Sequence, residues 1–180
     1  MAQKDQGVFA SAGRYCAVPR TLCFITHDDD VLLLKGAPDK RLWANKYNGV
    51  GGHVEHGEDV CAAALREICE ETGWCADDIK DLRLCGLINV DAGDPQIGIL
   101  LFVFTAQARH RRTQASTEGT LEWIPQSRLA DYDLVQDLPV LLPRMLALKQ
   151  DAPLIYGHYS YDQNDQLVIN FRARHLPDTP

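Results

Sequence analysis

Glu67, Glu70 and Glu71 stand at i, i+3 and i+4 in the segment ALREICEET. On a helix that spacing carries all three carboxylates to one face. Like charges one turn apart destabilise an isolated helix by about 0.2–0.5 kcal/mol per pair. Two readings account for them. The first is a solvated acidic face on which Arg66 pairs with Glu70 four residues on. The second is a set of hard oxygen ligands, because Mg²⁺ takes a few carboxylates together with substrate phosphates. Just upstream, Gly49, Gly51 and Gly52 form a stretch whose backbone can approach a ligand closely and offer a carbonyl oxygen. Alone, such a stretch is equally a tight turn.

These residues need a helix behind a loop, and the flanking sequence provides one. Asp59 or Glu58 suits an N-cap, Ala62, Ala63, Ala64, Leu65 and Ile68 favour helix, and Gly73 suits the C-terminal cap. The helix is expected from about Asp59 to Thr72. Ahead of it, Thr21–Thr26 and Val31–Lys35 read as a β-hairpin turning at His27–Asp30. Behind it, Leu82–Val90, Ile97–Ala106 and Thr120–Ile124 read as strands, the second apolar enough for a central position. Val135–Lys149 reads as a helix interrupted or begun by Pro139 and Pro143, and Leu154–Tyr161 with Leu167–Arg172 as a closing hairpin. Residues 1–19 show no period and end on Pro19, so they are read as an extension to a single domain over 20–180. Strands and helices without regular alternation indicate an α+β class.

Composition narrows the function. The 180 residues carry 25 acids against 18 Lys and Arg, a net charge of −7, with 46% hydrophobic residues. Proteins that neutralise a nucleic acid polymer usually carry a basic surface, so no polymer partner is expected. Arg109, Arg111 and Arg112 are read as a surface loop. No apolar run approaches the ~20 residues of a membrane span, and no secretory h-region opens the chain. The six cysteines form no CxxC pair, which speaks against zinc and for reduced thiols in a cytoplasm.

The run from Gly52 to Trp74 resembles the Nudix box, G-x5-E-x7-R-E-U-x-E-E-x-G-U, with U bulky and apolar. Here Gly52, Glu58, Arg66, Glu67, Glu70, Glu71 and Gly73 occupy every fixed position, with Ile68 and Trp74 at the apolar ones. Seven fixed residues coincide by chance on the order of 10⁻⁹ per starting position, so this signal is specific where the carboxylates alone are not. The resemblance implies the Nudix fold, a mixed β-sheet sandwiched between helices (α/β/α). It implies hydrolysis of a nucleoside diphosphate-X linkage with Mg²⁺, for which Mn²⁺ can substitute. Glu67, Glu70 and Glu71 would hold the metal with the Gly51 carbonyl. Arg66 would orient the carboxylates, and Gly52, Glu58 and Gly73 would shape the loop and helix. Glu118 is similar to an acid that approaches the metal from a distant loop. Glu67 is the favoured general base, with Glu118 and Glu71 as alternatives.

Within the family the chain resembles the MutT-like 8-oxo-dGTP diphosphatases. Tyr47–Gly52 is similar to their (W/Y)NGxGG segment, and LVQDLPVLLPRML from Leu134 to the segment carrying their base-reading acid. That implies substrate contacts from Asn48, Asp137 and the β-strand residue Thr21. An amide and a carboxyl can read a purine edge through paired donors and acceptors. Asn48 equally suits a turn and Asp137 a helix cap. Leu134 departs from the pattern, because an aromatic residue commonly stacks on the base there; Trp43 and Trp123 are candidate substitutes. Alternatives are another nucleotide such as ADP-ribose, or a non-catalytic nucleotide-sensing module; all the acids of the box are retained. A small nucleotide is the expected partner, with monomer and homodimer both open.

Overall fold

Side chains alternate across the strand Cys16–His27 (β1). Leu22 and Phe24 enter one buried cluster, while Cys23 and Ile25 enter a second on the opposite face. The computed structural model describes residues 13–116 and 118–172. Further strands are Asp30–Gly36 (β2), Tyr47–Asn48 (β3), Ile79–Asp91 (β4), Ile97–Ala108 (β5), Gly119–Pro125 (β6), Ile155–Tyr161 (β7) and Leu167–Arg172 (β8). They form one mixed sheet in the order β3-β2-β1-β5-β4-β7-β8, with β6 paired to β2. β1 runs parallel to β5, and β4 parallel to β7.

Helix α1 (Val60–Thr72) covers one face, setting Ala64 and Ile68 against Cys23, Ile25, Leu32 and Phe104. Helix α2 (Leu138–Leu146) covers the other, setting Leu138, Leu141, Leu142 and Met145 against Leu22, Phe24, Ile88 and Val103. The result is the α/β/α sandwich of a mixed sheet. β5 lies between β1 and β4, the central position its apolar sequence requires.

The first strand starts earlier than the sequence suggests. β1 opens at Cys16, paired with Ile97, and runs through Pro19. Pro19 still accepts from the Val54 amide at 3.1 Å, and proline is tolerated where the ladder needs no N–H. α2 is shorter than the expected 135–149. Pro139 sits in its first turn and Pro143 within it, and an interior proline removes a helical hydrogen bond.

The sheet's geometry makes room for the glycine loop. Leu32 pairs with Ile25 of β1 on one side and Trp123 of β6 on the other, whereas Leu34 pairs with Asn48 of β3 and Leu121 of β6. β1 and β3 therefore share one edge of β2. The loop after β3 returns along β1, with Val50 opposite Cys23 and His53 opposite Arg20.

Candidate active site

α1 begins where the Asp59 carboxylate accepts from the amides of Cys61 at 2.8 Å and Ala62 at 2.9 Å. It ends at Gly73, φ +77°, whose amide donates to the Cys69 carbonyl at 2.8 Å. That left-handed cap is the conformation glycine adopts without strain. Between the caps, Glu67 and Glu71 follow Ala63 at four-residue steps and face the glycine loop, with Glu71 only 4% exposed.

Arg66 organises this face. Its Nε and Nη2 donate to Glu58 at 3.2 and 2.8 Å, and Nη2 also donates to the His53 carbonyl at 2.9 Å. Nη1 donates to Glu67 at 2.8 Å and to Glu70 at 3.2 Å. A guanidinium has five N–H donors, and these five contacts engage them all. The Arg66 hydrogen bonds and the Glu55 amide hold the Glu58 carboxyl below its ordinary range. The acidic face is thus no free solvated stripe: only Glu70, 59% exposed at its side chain, resembles one.

The glycine loop docks on β1 through the Thr21 amide to the Gly52 carbonyl at 2.8 Å and the Cys23 amide to Val50 at 2.7 Å. Gly51, φ +150°, lies against the Thr21 carbonyl, and its amide donates to Glu71 Oε2 at 3.2 Å. A Cβ on Gly52 would fall on the Glu67 carboxylate. The loop needs glycines because a strand backbone and a carboxylate press on its two sides.

Burial, followed by the charge of Glu118, pushes the Glu71 carboxyl up to about 8. Burial also raises Glu67, with Arg66 opposing. The Glu118 carboxylate, whose charge bears on Glu71, is itself paired with Lys40 at 2.5 Å. Among the described residues no three His, Cys, Asp or Glu side chains converge as a ready-made metal cage. The donor chemistry nevertheless fits a hard cation. Glu67 and Glu71 are desolvated carboxyls whose ionised forms a cation would stabilise, and Mg²⁺ completes its shell with water and phosphate oxygens rather than with protein alone.

The candidate base-reading residues lie on neighbouring segments. The Tyr47 amide donates to the Asp133 carbonyl at 2.9 Å and the Val135 amide to the Tyr47 carbonyl at 3.0 Å. These bonds strap the approach to α2 beside Asn48. Asn48 Oδ1 accepts from the Gly49 amide at 2.9 Å, a turn contact that leaves its NH₂ to donate. Asp137 occupies the cap position of α2 but makes no side-chain cap bond, and burial pushes its carboxyl up to about 6. Thr21 is buried, with Oγ1 accepting from the Gly52 amide at 3.4 Å. Leu134 is buried in the α2-side cluster. Trp123 belongs to the α1-side cluster, 6.1 Å from Trp74, and Trp43 stands exposed in the loop before β3.

Sequence reasoning missed three residues. Tyr159 Oη and Arg20 Nε are buried and lack hydrogen-bond partners among the described residues. Tyr159 belongs to the α2-side cluster and feels the Asp137 charge. Arg20 aligns with Leu101 and Ile88 across the sheet. The third is Lys40, whose partner lies 78 residues away. The arginine cluster proves to be a tied loop: the indoles of Trp74 and Trp123 donate to the carbonyls of Arg112 and Arg111 at 2.6 and 3.0 Å, and Arg111 pairs with Asp30.

A Nudix domain family model matches residues 17–145. With the box carried on a loop and helix against this sheet, the chain belongs to the Nudix family and is a hydrolase. It is similar to the oxidized purine nucleoside triphosphate hydrolase of Mus musculus, 27% identical over 149 residues, covering 82% of this chain and 89% of the relative. The protein of the same description from Danio rerio is 26% identical with the same coverage. Among solved structures, the MutT protein of Bacillus halodurans superposes with a TM-score of 0.68 at 25% identity, covering 86% of this chain and 96% of that one. Nudix hydrolases generally act on small nucleotides with a divalent metal. Among the described residues no helix is long and apolar enough to cross a membrane.

Proposed function

We propose that the protein hydrolyses a purine nucleoside triphosphate to the monophosphate and pyrophosphate, with an oxidised guanine form preferred and Mg²⁺ as the metal. The observation that carries the substrate class is Asp137, a carboxyl raised to about 6 by burial and free of the capping bond its position offers. Burial costs an ionised carboxylate solvation that the Asp137 and Leu138 amides restore only in part, and ligand donors relieve that cost. The N1–H and N2–H groups of a guanine edge are such donors. Asn48, Thr21, Arg20 and Tyr159 Oη supply further polar contacts around the same α2-side and loop region. The names of the mouse and zebrafish relatives agree with this reading.

Glu67, Glu70, Glu71 and the Gly51 carbonyl are the residues that would hold Mg²⁺, with Glu118 approaching from its loop. A cation held there would supply the charge that neutralises the diphosphate and stabilises charge developing at phosphorus. Arg66 holds Glu67 and Glu70 in place by charge-assisted bonds. Glu67 binds Arg66 through Oε1, which leaves its second oxygen to take a proton from the attacking water.

The test is kcat/KM for 8-oxo-dGTP, dGTP, dATP, dCTP and ADP-ribose, each with and without Mg²⁺. The purine reading expects 8-oxo-dGTP to lead and turnover to require metal. Best hydrolysis of dCTP or ADP-ribose would overturn the purine assignment and leave the family assignment standing.

A further inference from the structure

The carboxylate cluster is served by two cations that differ in their freedom. All five donors of Arg66 are engaged within the box. Among the described residues Lys40 has a single carboxylate partner, Glu118, at 2.5 Å, and both side chains reach solvent, 33% and 53% exposed. The segment leading to Glu118 is tied to the end of α1, where the Gln114 amide donates to the Thr72 carbonyl at 2.9 Å, so the pair stands beside the box helix.

The backbone holds Lys40 at this place. The Ala37 amide donates to the Glu118 carbonyl at 3.1 Å and the Lys40 amide to the Ala37 carbonyl at 3.1 Å. The Gly36 amide donates to the Lys46 carbonyl at 3.0 Å and the Asn45 amide to the Gly36 carbonyl at 3.0 Å, which closes the loop on itself. Gly119, φ +159°, lies against the Lys35 carbonyl with no space for a Cβ. The Lys40 loop and the Glu118 strand are therefore clasped beside the acids, while the ammonium itself rides on a flexible stem.

An exposed ion pair contributes little net stability, so Lys40 can exchange its partner at little cost. A lysine ammonium is a mobile point charge suited to phosphate, and a triphosphate carries more negative charge than one carboxylate. We propose that Lys40 is an exchangeable counter-ion: it neutralises Glu118 before substrate arrives and then moves to the β- and γ-phosphates, freeing Glu118 for the metal side of the cluster. This rests on the carboxylate cluster being the phosphate-handling site proposed above.

The role predicts effects of opposite sign. Lys40→Gln removes a cation that competes with metal for Glu118, so Mn²⁺ alone, titrated calorimetrically into the full chain, binds about two- to fivefold tighter. The same variant loses a phosphate contact. Pyrophosphate with Mn²⁺ then binds about tenfold more weakly, and KM for 8-oxo-dGTP rises about tenfold with kcat within about twofold. Lys40→Arg restores most of the phosphate affinity. Lys46→Gln, which cuts the 2.6 Å pair with Asp133 at the far end of the same loop, leaves both affinities as in wild type.

Weaker binding of both metal and pyrophosphate in Lys40→Gln, or the same changes in Lys46→Gln, would mean that Lys40 only anchors the loop, and the proposal falls. Unchanged pyrophosphate affinity in Lys40→Gln, with wild type binding both ligands, overturns this assignment alone. If wild type binds neither Mn²⁺ nor pyrophosphate, the underlying function fails and this inference fails with it.

Discussion

Replacing Asp137 by Asn separates two roles that the sequence leaves open. Its carboxyl rises from an ordinary value of 3.8 to about 6, chiefly through burial, with the amides of Asp137 and Leu138 opposing only in part. In that case the folded state binds more protons than the unfolded state between those values. Its favourable contribution is complete below about pH 3.8 and is lost as pH rises through about 6. At pH 7.5 the wild type carries an ionised, poorly solvated carboxylate. The rise corresponds to an upper bound of about 3 kcal/mol, and residual exposure makes about 1–2 kcal/mol a realistic figure.

Asp137→Asn removes that charge with little change in shape. The variant is therefore expected to unfold at higher denaturant concentration than wild type at pH 7.5, by about 1–2 kcal/mol, with the difference vanishing near pH 4. Its kcat/KM for 8-oxo-dGTP should fall about 10- to 100-fold, as loss of a charged hydrogen bond does, while its Mg²⁺ dependence stays unchanged. A helix-cap role predicts something else. Asn caps about as well as Asp, so stability would be nearly level across pH and base selectivity intact. Urea unfolding at pH 4, 6 and 7.5, alongside the nucleotide panel, decides between them. A variant that is no more stable at pH 7.5 and keeps wild-type selectivity refutes the reading role.

The remaining predictions concern the box and the thiols. Glu70→Gln and Glu71→Gln should lower turnover at limiting Mg²⁺ by at least about tenfold while the protein stays folded by circular dichroism, since each removes a proposed ligand of the cation; full activity in both would sink the metal site. Arg66→Lys keeps the charge but cannot grip Glu58 with two donors as Arg66 does. It should lower kcat about 10- to 100-fold and lower the melting temperature, and wild-type values for both would show that the clamp is dispensable. Cys16, Cys61, Cys69 and Cys75 are exposed and Cys23 and Cys85 buried, all as free thiols. Thiol alkylation and soft-metal chelators should leave turnover intact under native conditions, whereas stoichiometric zinc by elemental analysis would contradict this.

How far the sequence reveals the site depends on the range of the interaction. The box is legible because its contacts are local. Asp59 caps amides two and three residues on, Arg66 reaches Glu67 and Glu70 within one turn, and Gly73 ends the same helix. Side-chain spacing on a helix fixes those encounters before any tertiary structure forms. Gly51 and Gly52 are legible as glycines, but their physical reason is not: it lies in the Thr21 carbonyl and the Glu67 carboxylate, which only the docked loop brings to them. The start of β1 at Cys16 was hidden because exposed residues 16–18 carry no burial period and Pro19 reads as a break. The Lys40–Glu118 pair and the orphaned hydroxyl of Tyr159 depend on segments far apart in the chain that meet only in the folded sheet. The proposed metal-binding carboxylates and general base therefore lie on one short helix. The proposed base-reading residues are spread over β1, β3, β7 and the approach to α2. Asn48 and Asp137 are legible only through the resembling segments around them, whereas Arg20 and Tyr159 stand out only in the fold, as buried polar atoms without partners among the described residues.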